Sequence, residues 1–224
     1  MAAPPRDVNM LLVEAWEFIL AHPDRFLSAL GTHIALSASA LAIAIAIAVP
    51  AGVVLSGMRR AAQFAIAGAN IGRTLPSLAV LALVMPLMGT GFVPSLFALT
   101  LLALPPILIN TYTAVRQVEP EVVDAARGMG MTRNEIRRKV ELPLALPVIF
   151  AGIRTAAVQV ISGAVLAAYI GGGGLGDFIT AGIAMMALPQ LLVGAIPATL
   201  LALGTDRLFG ALQRAMTPAG LRSP

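Results

Sequence analysis

The chain has 224 residues, of which 58% are hydrophobic and 12% charged; an ordinary soluble domain carries roughly 45–50% apolar and about 25% charged residues, so a water-soluble enzyme is excluded. The length allows one compact membrane unit with no second globular domain beside it, and the absence of cysteine excludes disulfides, thiolate metal sites and a cysteine nucleophile. A formal charge of +4 does not by itself indicate nucleic acid, because basic residues of membrane proteins gather on one side for reasons of topology.

Residues 1 to 25 interleave Arg6, Asp7, Glu14, Glu17, Asp24 and Arg25 with apolar positions, a pattern incompatible with the unbroken apolar core of a cleavable signal peptide. Met10 to Leu20 reads either as a short amphipathic helix on the outer surface or as a solvated leader. Residues 26 to 58 then carry no ionisable side chain except His33, and 74 to 115, 155 to 176 and 178 to 205 contain no Asp, Glu, Lys or Arg. About 20 apolar residues cross a bilayer as a helix, so the stretch from Thr74 to Val115 holds two crossings, divided at Gly89-Thr90-Gly91. The expected spans are 30–57, 68–88, 94–115, 141–169 and 187–209. Gly68 and Gly72 form a G-x-x-x-G pair, a weak sign of close helix packing.

Arg59 and Arg60 follow the first span, six basic residues from Arg116 to Lys139 separate the third from the fourth, and Arg207, Arg214 and Arg222 follow the fifth. Loops 89–93 and 170–186 hold no Lys or Arg. The positive-inside rule therefore predicts an outside N-terminus and a cytoplasmic C-terminus. The organisation expected is an external segment 1–29, a permease domain 30–212 with a polar loop 117–142, and a cytoplasmic tail 213–224.

The polar loop is legible residue by residue. Pro120 suits a first helical position with acids in the first turn, Gly130 suits the left-handed residue that closes a helix, and Thr132 with Glu135 makes a capping box for a second helix running toward Leu142-Pro143. A connector needs only a few residues, so a folded element of this length suggests a docking surface, with a solvated connector as the alternative.

Several constellations fail. Gly171-Gly172-Gly173-Gly174-Leu175-Gly176 satisfies G-x-G-x-x-G formally, but it follows a membrane helix where no βαβ unit can form, so it reads as an unwound turn with close backbone approach. Asp177 suits a cap for the next short helix. No phosphate-binding G-x-x-x-x-G-K-[ST] occurs, so the chain cannot hydrolyse ATP by that route. His22 and His33 are the only histidines, both expected at an interface, with no spacing for zinc and no Ser/His/Asp arrangement. The uncharged stretches offer no acid for a proton relay, so the energy for transport must come from elsewhere. Arg154, near a span interior, either snorkels to the surface or serves a substrate path. Helix breaks free backbone groups that a water-lined cavity can satisfy, so Pro76, Pro105 and Asn110 are candidate path elements.

Asp124-Ala125-Ala126, three residues, Gly130, nine residues, Val140, one residue, and Leu142-Pro143 resemble the EAA loop of the membrane subunits of binding-protein-dependent ABC importers. Asp124 replaces the usual Glu and Val140 the usual Ile; Asp keeps the acid with a shorter reach. Arg73 to Ala79, Leu104 to Tyr112, Ala125 to Thr132 and the glycine run are similar to permeases for glycine betaine, choline and carnitine, with methionine importer permeases a near neighbour. The resemblance extends from about His33 to Leu212. It implies an all-α permease of the methionine-importer (MetI-like) type, with about five core transmembrane helices and a coupling helix seated on an ATPase subunit. The small Ala125 and Ala126 would let backbones approach. Implied partners are the ATPase subunits, which carry ATP and Mg, an external binding protein, and a second permease copy or paralogue in the bacterial inner membrane. No cofactor in this chain and no nucleic-acid partner are expected. Only one Trp and two Tyr are present, and a cage for a quaternary ammonium needs several aromatics, so selectivity is expected to reside mainly in the binding protein. The rivals are an amino-acid permease of methionine type, a channel or secondary carrier, and a membrane scaffold.

Overall fold

The computed structural model describes residues 7–216; Arg6, Arg222 and most of the expected tail lie outside the described residues. Every element among the described residues is helical: α1 (Val8–Ala21), α2 (Pro23–Leu55), α3 (Arg59–Thr74), α4 (Ser77–Met88), α5 (Phe92–Arg116), α6 (Pro120–Gly128), α7 (Arg133–Ile136), α8 (Leu142–Ala164), α9 (Gly176–Ala184) and α10 (Leu188–Met216). A π-helical turn, Arg137–Glu141, joins α7 to α8, and a 3-10 turn, Val165–Ile170, extends α8.

Four helical runs are long and apolar enough to cross a membrane, and a fifth crossing exists if α3 and α4 count as one. The second expected span is therefore corrected: it is broken between α3 and α4. Proline is the cause. Pro76 has no N–H and its ring drives the preceding residue out of helical conformation, so Leu75 is extended at φ −70°, ψ 129°. The first span begins at Pro23 rather than residue 30, and its 33 residues extend about 50 Å, longer than a hydrocarbon core of roughly 30 Å. The fourth does not begin near Glu141, because its helical run starts at Arg133.

The chain forms two compact units. One comprises residues 1–40, 76–99 and 160–203. Its aromatic centre is Phe178, fully buried, with the Phe18 ring edge-on at 6.0 Å, Phe26 at 6.4 Å and the Arg25 guanidinium 5.3 Å from the ring centroid. Ala15, Phe18 and Ile19 of α1 pack into this cluster with Val193, so α1 is a docked helix, and the solvated-leader alternative fails. Burying Phe178 stabilises this packing by about 2 kcal/mol. Asp177 lies in the first turn of α9 and does not cap it, since Leu175 is the N-cap residue. Burial pushes its carboxyl up from the usual range, against the pull of Arg25.

The glycine run is the unwound turn expected. Gly171, Gly173 and Gly174 have positive φ; the Gly91 amide donates to the Ile170 carbonyl at 2.7 Å and the Gly172 amide to Ala167 at 2.8 Å. His33, expected at an interface, is instead buried at 1% exposure, its Nε2 donating to the Ile161 carbonyl at 3.2 Å. A Cβ at Gly174 would lie 3.2 Å from His33 Nδ1, so the run lies against this histidine.

The other unit comprises residues 41–75, 100–159 and 204–224, described to Met216. Glycines bring its helices together: a Cβ at Gly52 of α2 would lie 2.7 Å from Thr111 Cβ of α5, and one at Gly152 of α8 would lie 2.6 Å from Asn110 Cβ. Gly68, by contrast, has nothing within 4 Å and Gly72 only Pro105 at 3.6 Å, so the G-x-x-x-G pair is no tight contact within this chain.

Candidate functional site

The polar loop folds as its punctuation dictates. Pro120 opens α6 with Glu121 in the first turn. Gly130, at φ +81°, closes it: the Met131 amide donates to the Ala126 carbonyl at 3.2 Å and the Gly130 amide to Arg127 at 3.0 Å, the paired bonds of a Schellman motif. Thr132 then caps α7. Its amide donates to Glu135 Oε2 at 3.0 Å while its hydroxyl accepts from the Glu135 amide at 3.4 Å. Lys139 Nζ holds the other Glu135 oxygen at 3.1 Å.

This frame presents one face of α6. Val122 is 37% and Met129 76% exposed, and with the exposed Ala125 they stand at i, i+3 and i+7, one stripe of a helix. Sequence reasoning missed Val122 and Met129, although the spacing alone signalled them. The two alanines separate: Ala125 lies on the exposed face, whereas Ala126 is 2% exposed and packs inward. Asp124 is exposed and its carboxylate is paired with Arg127 at 2.7 Å, a surface pair of small energetic weight. Val140 lies in the π turn and Leu142 and Pro143 open α8, all half-buried. The late residues of the motif thus anchor the loop to a membrane helix, and of the early ones Asp124 and Ala125 are exposed while Ala126 packs inward.

Behind α6, within the same unit, lies an open cavity of about 750 Å³ whose wall combines the ends of α2 and α5 with the loop. Arg116, Arg127, Arg133 and Arg137 face it together with Asp124 and Glu141.

The remaining candidates are distributed along the membrane helices. Pro76 stands exposed at the break before α4. Pro105 is buried inside a continuous α5, so no break occurs there, and Asn110 Nδ2 donates to the Pro106 carbonyl at 2.7 Å, committing its amide to its own helix. Arg154 neither snorkels alone nor stands unpaired. Its Nε and Nη2 donate to Asp206 Oδ1 and Oδ2 at 2.6 and 2.7 Å, a bidentate pair joining α8 to α10. Asp206 lies within the long helix α10. Gly210 leaves room for this, since a Cβ there would lie 3.2 Å from the Arg154 guanidinium. No group of three or more His, Asp or Glu is placed to hold a metal among the described residues.

A family model described as the binding-protein-dependent transport system inner membrane component matches residues 40–218. Similar curated proteins include the choline transport system permease protein OpuBB of Bacillus subtilis, 43% identical over 206 residues, 92% of this chain and 95% of that protein. The carnitine transport permease protein OpuCB of Listeria monocytogenes is 42% identical, covering 95% of this chain and 90% of its own length. The osmoprotectant import permease protein OsmW of Salmonella typhimurium is 41% identical over 85% of this chain and 91% of its own length. Among solved structures, an inward-facing form of the MetNI methionine ABC transporter superposes with a TM-score of 0.77 at 21% identity, covering 87% of this chain and 97% of that one.

Proposed function

The chain belongs to the family of binding-protein-dependent transport system inner membrane components, and on that premise we propose that it imports a quaternary-ammonium osmoprotectant such as glycine betaine, choline or carnitine. It is a multi-pass permease subunit of an ABC importer with the methionine-importer type of fold. ATP hydrolysis resides on partner ATPase subunits, an external binding protein delivers the solute, and a second permease, identical or paralogous, completes the path in the bacterial inner membrane. The N-terminus lies outside and the C-terminus in the cytoplasm.

The observation that carries the coupling role is the α6 stripe of Val122, Ala125 and Met129, exposed on a helix that Pro120 opens and the Gly130 turn closes. Exposed apolar residues at helical spacing on a rigid, charged element suit a groove on a partner, here the ATPase. The solute class rests on the names of the relatives. Pro76, Pro105, Asn110 and Arg154 remain the candidates for the translocation path. The Arg154–Asp206 pair supports that place for Arg154, because charges within membrane helices face protein or water rather than lipid.

A strain lacking this subunit should lose ATP-dependent uptake of radiolabelled betaine or choline. Loss of methionine uptake instead would reassign the solute, and uptake that survives ATPase inactivation but collapses with the proton gradient would replace the importer with a secondary carrier. Reporters fused after Arg60 or Arg138 should read as cytoplasmic and one inserted near Gly173 as external; the opposite pattern would invert the topology and remove the docking role.

A further inference from the structure

We propose that the cavity behind α6 is a binding site for a phosphate-bearing anion, the headgroup of an anionic phospholipid, gripped by Arg116 and Arg133. The cavity, about 750 Å³, brings four guanidiniums together against two carboxylates. Arg127 is paired with Asp124 at 2.7 Å, and Arg137 has only Glu141 at 3.6 Å, beyond hydrogen-bond distance, so its buried Nε has no hydrogen-bond partner. Arg116 and Arg133 belong to none of the ion pairs among the described residues.

Gly57, just past the end of α2, lies beside two of the arginines: a Cβ there would lie 3.4 Å from an Arg133 nitrogen and 3.5 Å from one of Arg137. A helix C-terminus presents only about half a negative charge, too little to balance the two surplus cations. Four guanidiniums against two carboxylates leave the recess with an excess of positive charge that an anion offsets. Arg suits a phosphate, whose oxygens it meets with a planar fork of donors.

The source of the phosphate follows from where the wall lies. Ser56 and Gly57 continue directly from the membrane helix α2, and Val115 and Arg116 form the last turn of α5. These are the ends of two membrane spans, the level at which lipid phosphates sit, and arginines there are attracted to an anionic surface. A free phosphate offers the same chemistry but has no reason to concentrate at this height.

The test uses the full chain in nanodiscs of phosphatidylcholine with or without phosphatidylglycerol, with bound lipid counted by native mass spectrometry and inorganic phosphate as a competitor. The wild type and a control, Arg59→Gln/Arg60→Gln, should retain phosphatidylglycerol; Arg116→Gln/Arg133→Gln should lose about tenfold or more in affinity. Glu141→Gln removes a competing carboxylate and should bind more tightly, a gain that misfolding cannot produce. Displacement of the lipid by inorganic phosphate supports the shared phosphate chemistry. Phosphate binding with no lipid retention overturns the lipid assignment, and phosphatidylglycerol retention indifferent to both the Arg pair and Glu141 overturns the site.

Discussion

Two glycines, one closing α6 and one opening α9, are required for opposite reasons. At Gly130, closing α6, a Cβ would meet nothing within 4 Å, and only the backbone angle of +81° asks for glycine. At Gly176, after the glycine run, φ is not positive, yet a Cβ would strike the Val165 carbonyl oxygen and lie 2.9 Å from Ala168 Cβ. Gly130 is set by local conformation, with open space beside it. Gly176 is set by packing, its space already occupied by its own chain.

That contrast predicts unequal damage. Gly176→Ala should have the largest effect, because backbone cannot move aside as a flexible side chain can; a loss of about 3 kcal/mol should appear as a lower Tm and reduced recovery of purified permease. An unchanged Tm would mean that the Val165 contact is not tight. Gly130→Val should cost about 1–2 kcal/mol for the left-handed residue, with little change in Tm, while ATPase co-purification and coupled transport fall together. If both persist, the docking role of α6 is wrong. Thr132→Ala removes only the cap on the next helix, about 1 kcal/mol, and should weaken ATPase association less than Gly130→Val does. An equal or larger defect would shift the decisive feature from the turn to the cap.

The same contrast explains what the sequence disclosed. Helix punctuation acts over a few residues, so Pro120, Gly130, Thr132 and Glu135 announced the loop without any knowledge of tertiary structure. Apolar length and absence of charge likewise located the membrane helices, but those criteria are blind to a bend between two apolar halves, and the break at Leu75-Pro76 passed as a continuous span. Long-range partners were invisible: Arg154 meets Asp206 across 52 positions, and nothing near either residue in the sequence signals the pairing. His33 looked like an interfacial residue because nothing nearby in sequence reveals Ile161 and Gly174 closing over it. Within the coupling motif, equal letters concealed unequal surroundings, Ala125 outward and Ala126 inward.

The smallest expected effect is the sharpest check on this division of glycines. Gly68 lies inside α3, where a Cβ would meet nothing within 4 Å and φ is not positive, so neither space nor conformation within this chain demands glycine there. Helix interiors favour Ala over Gly by about 0.5–1 kcal/mol, and Gly68→Ala should therefore leave Tm unchanged or raise it slightly, with transport intact. The outcome that matters is the reverse. If Gly68→Ala lowers transport while the isolated permease keeps its Tm, the open space beside Gly68 is filled in the assembled importer, and small residues there serve a contact between subunits. Measuring Tm on the isolated chain and uptake on the assembled transporter separates the two cases, because an internal packing defect moves both and a lost subunit contact moves only the second.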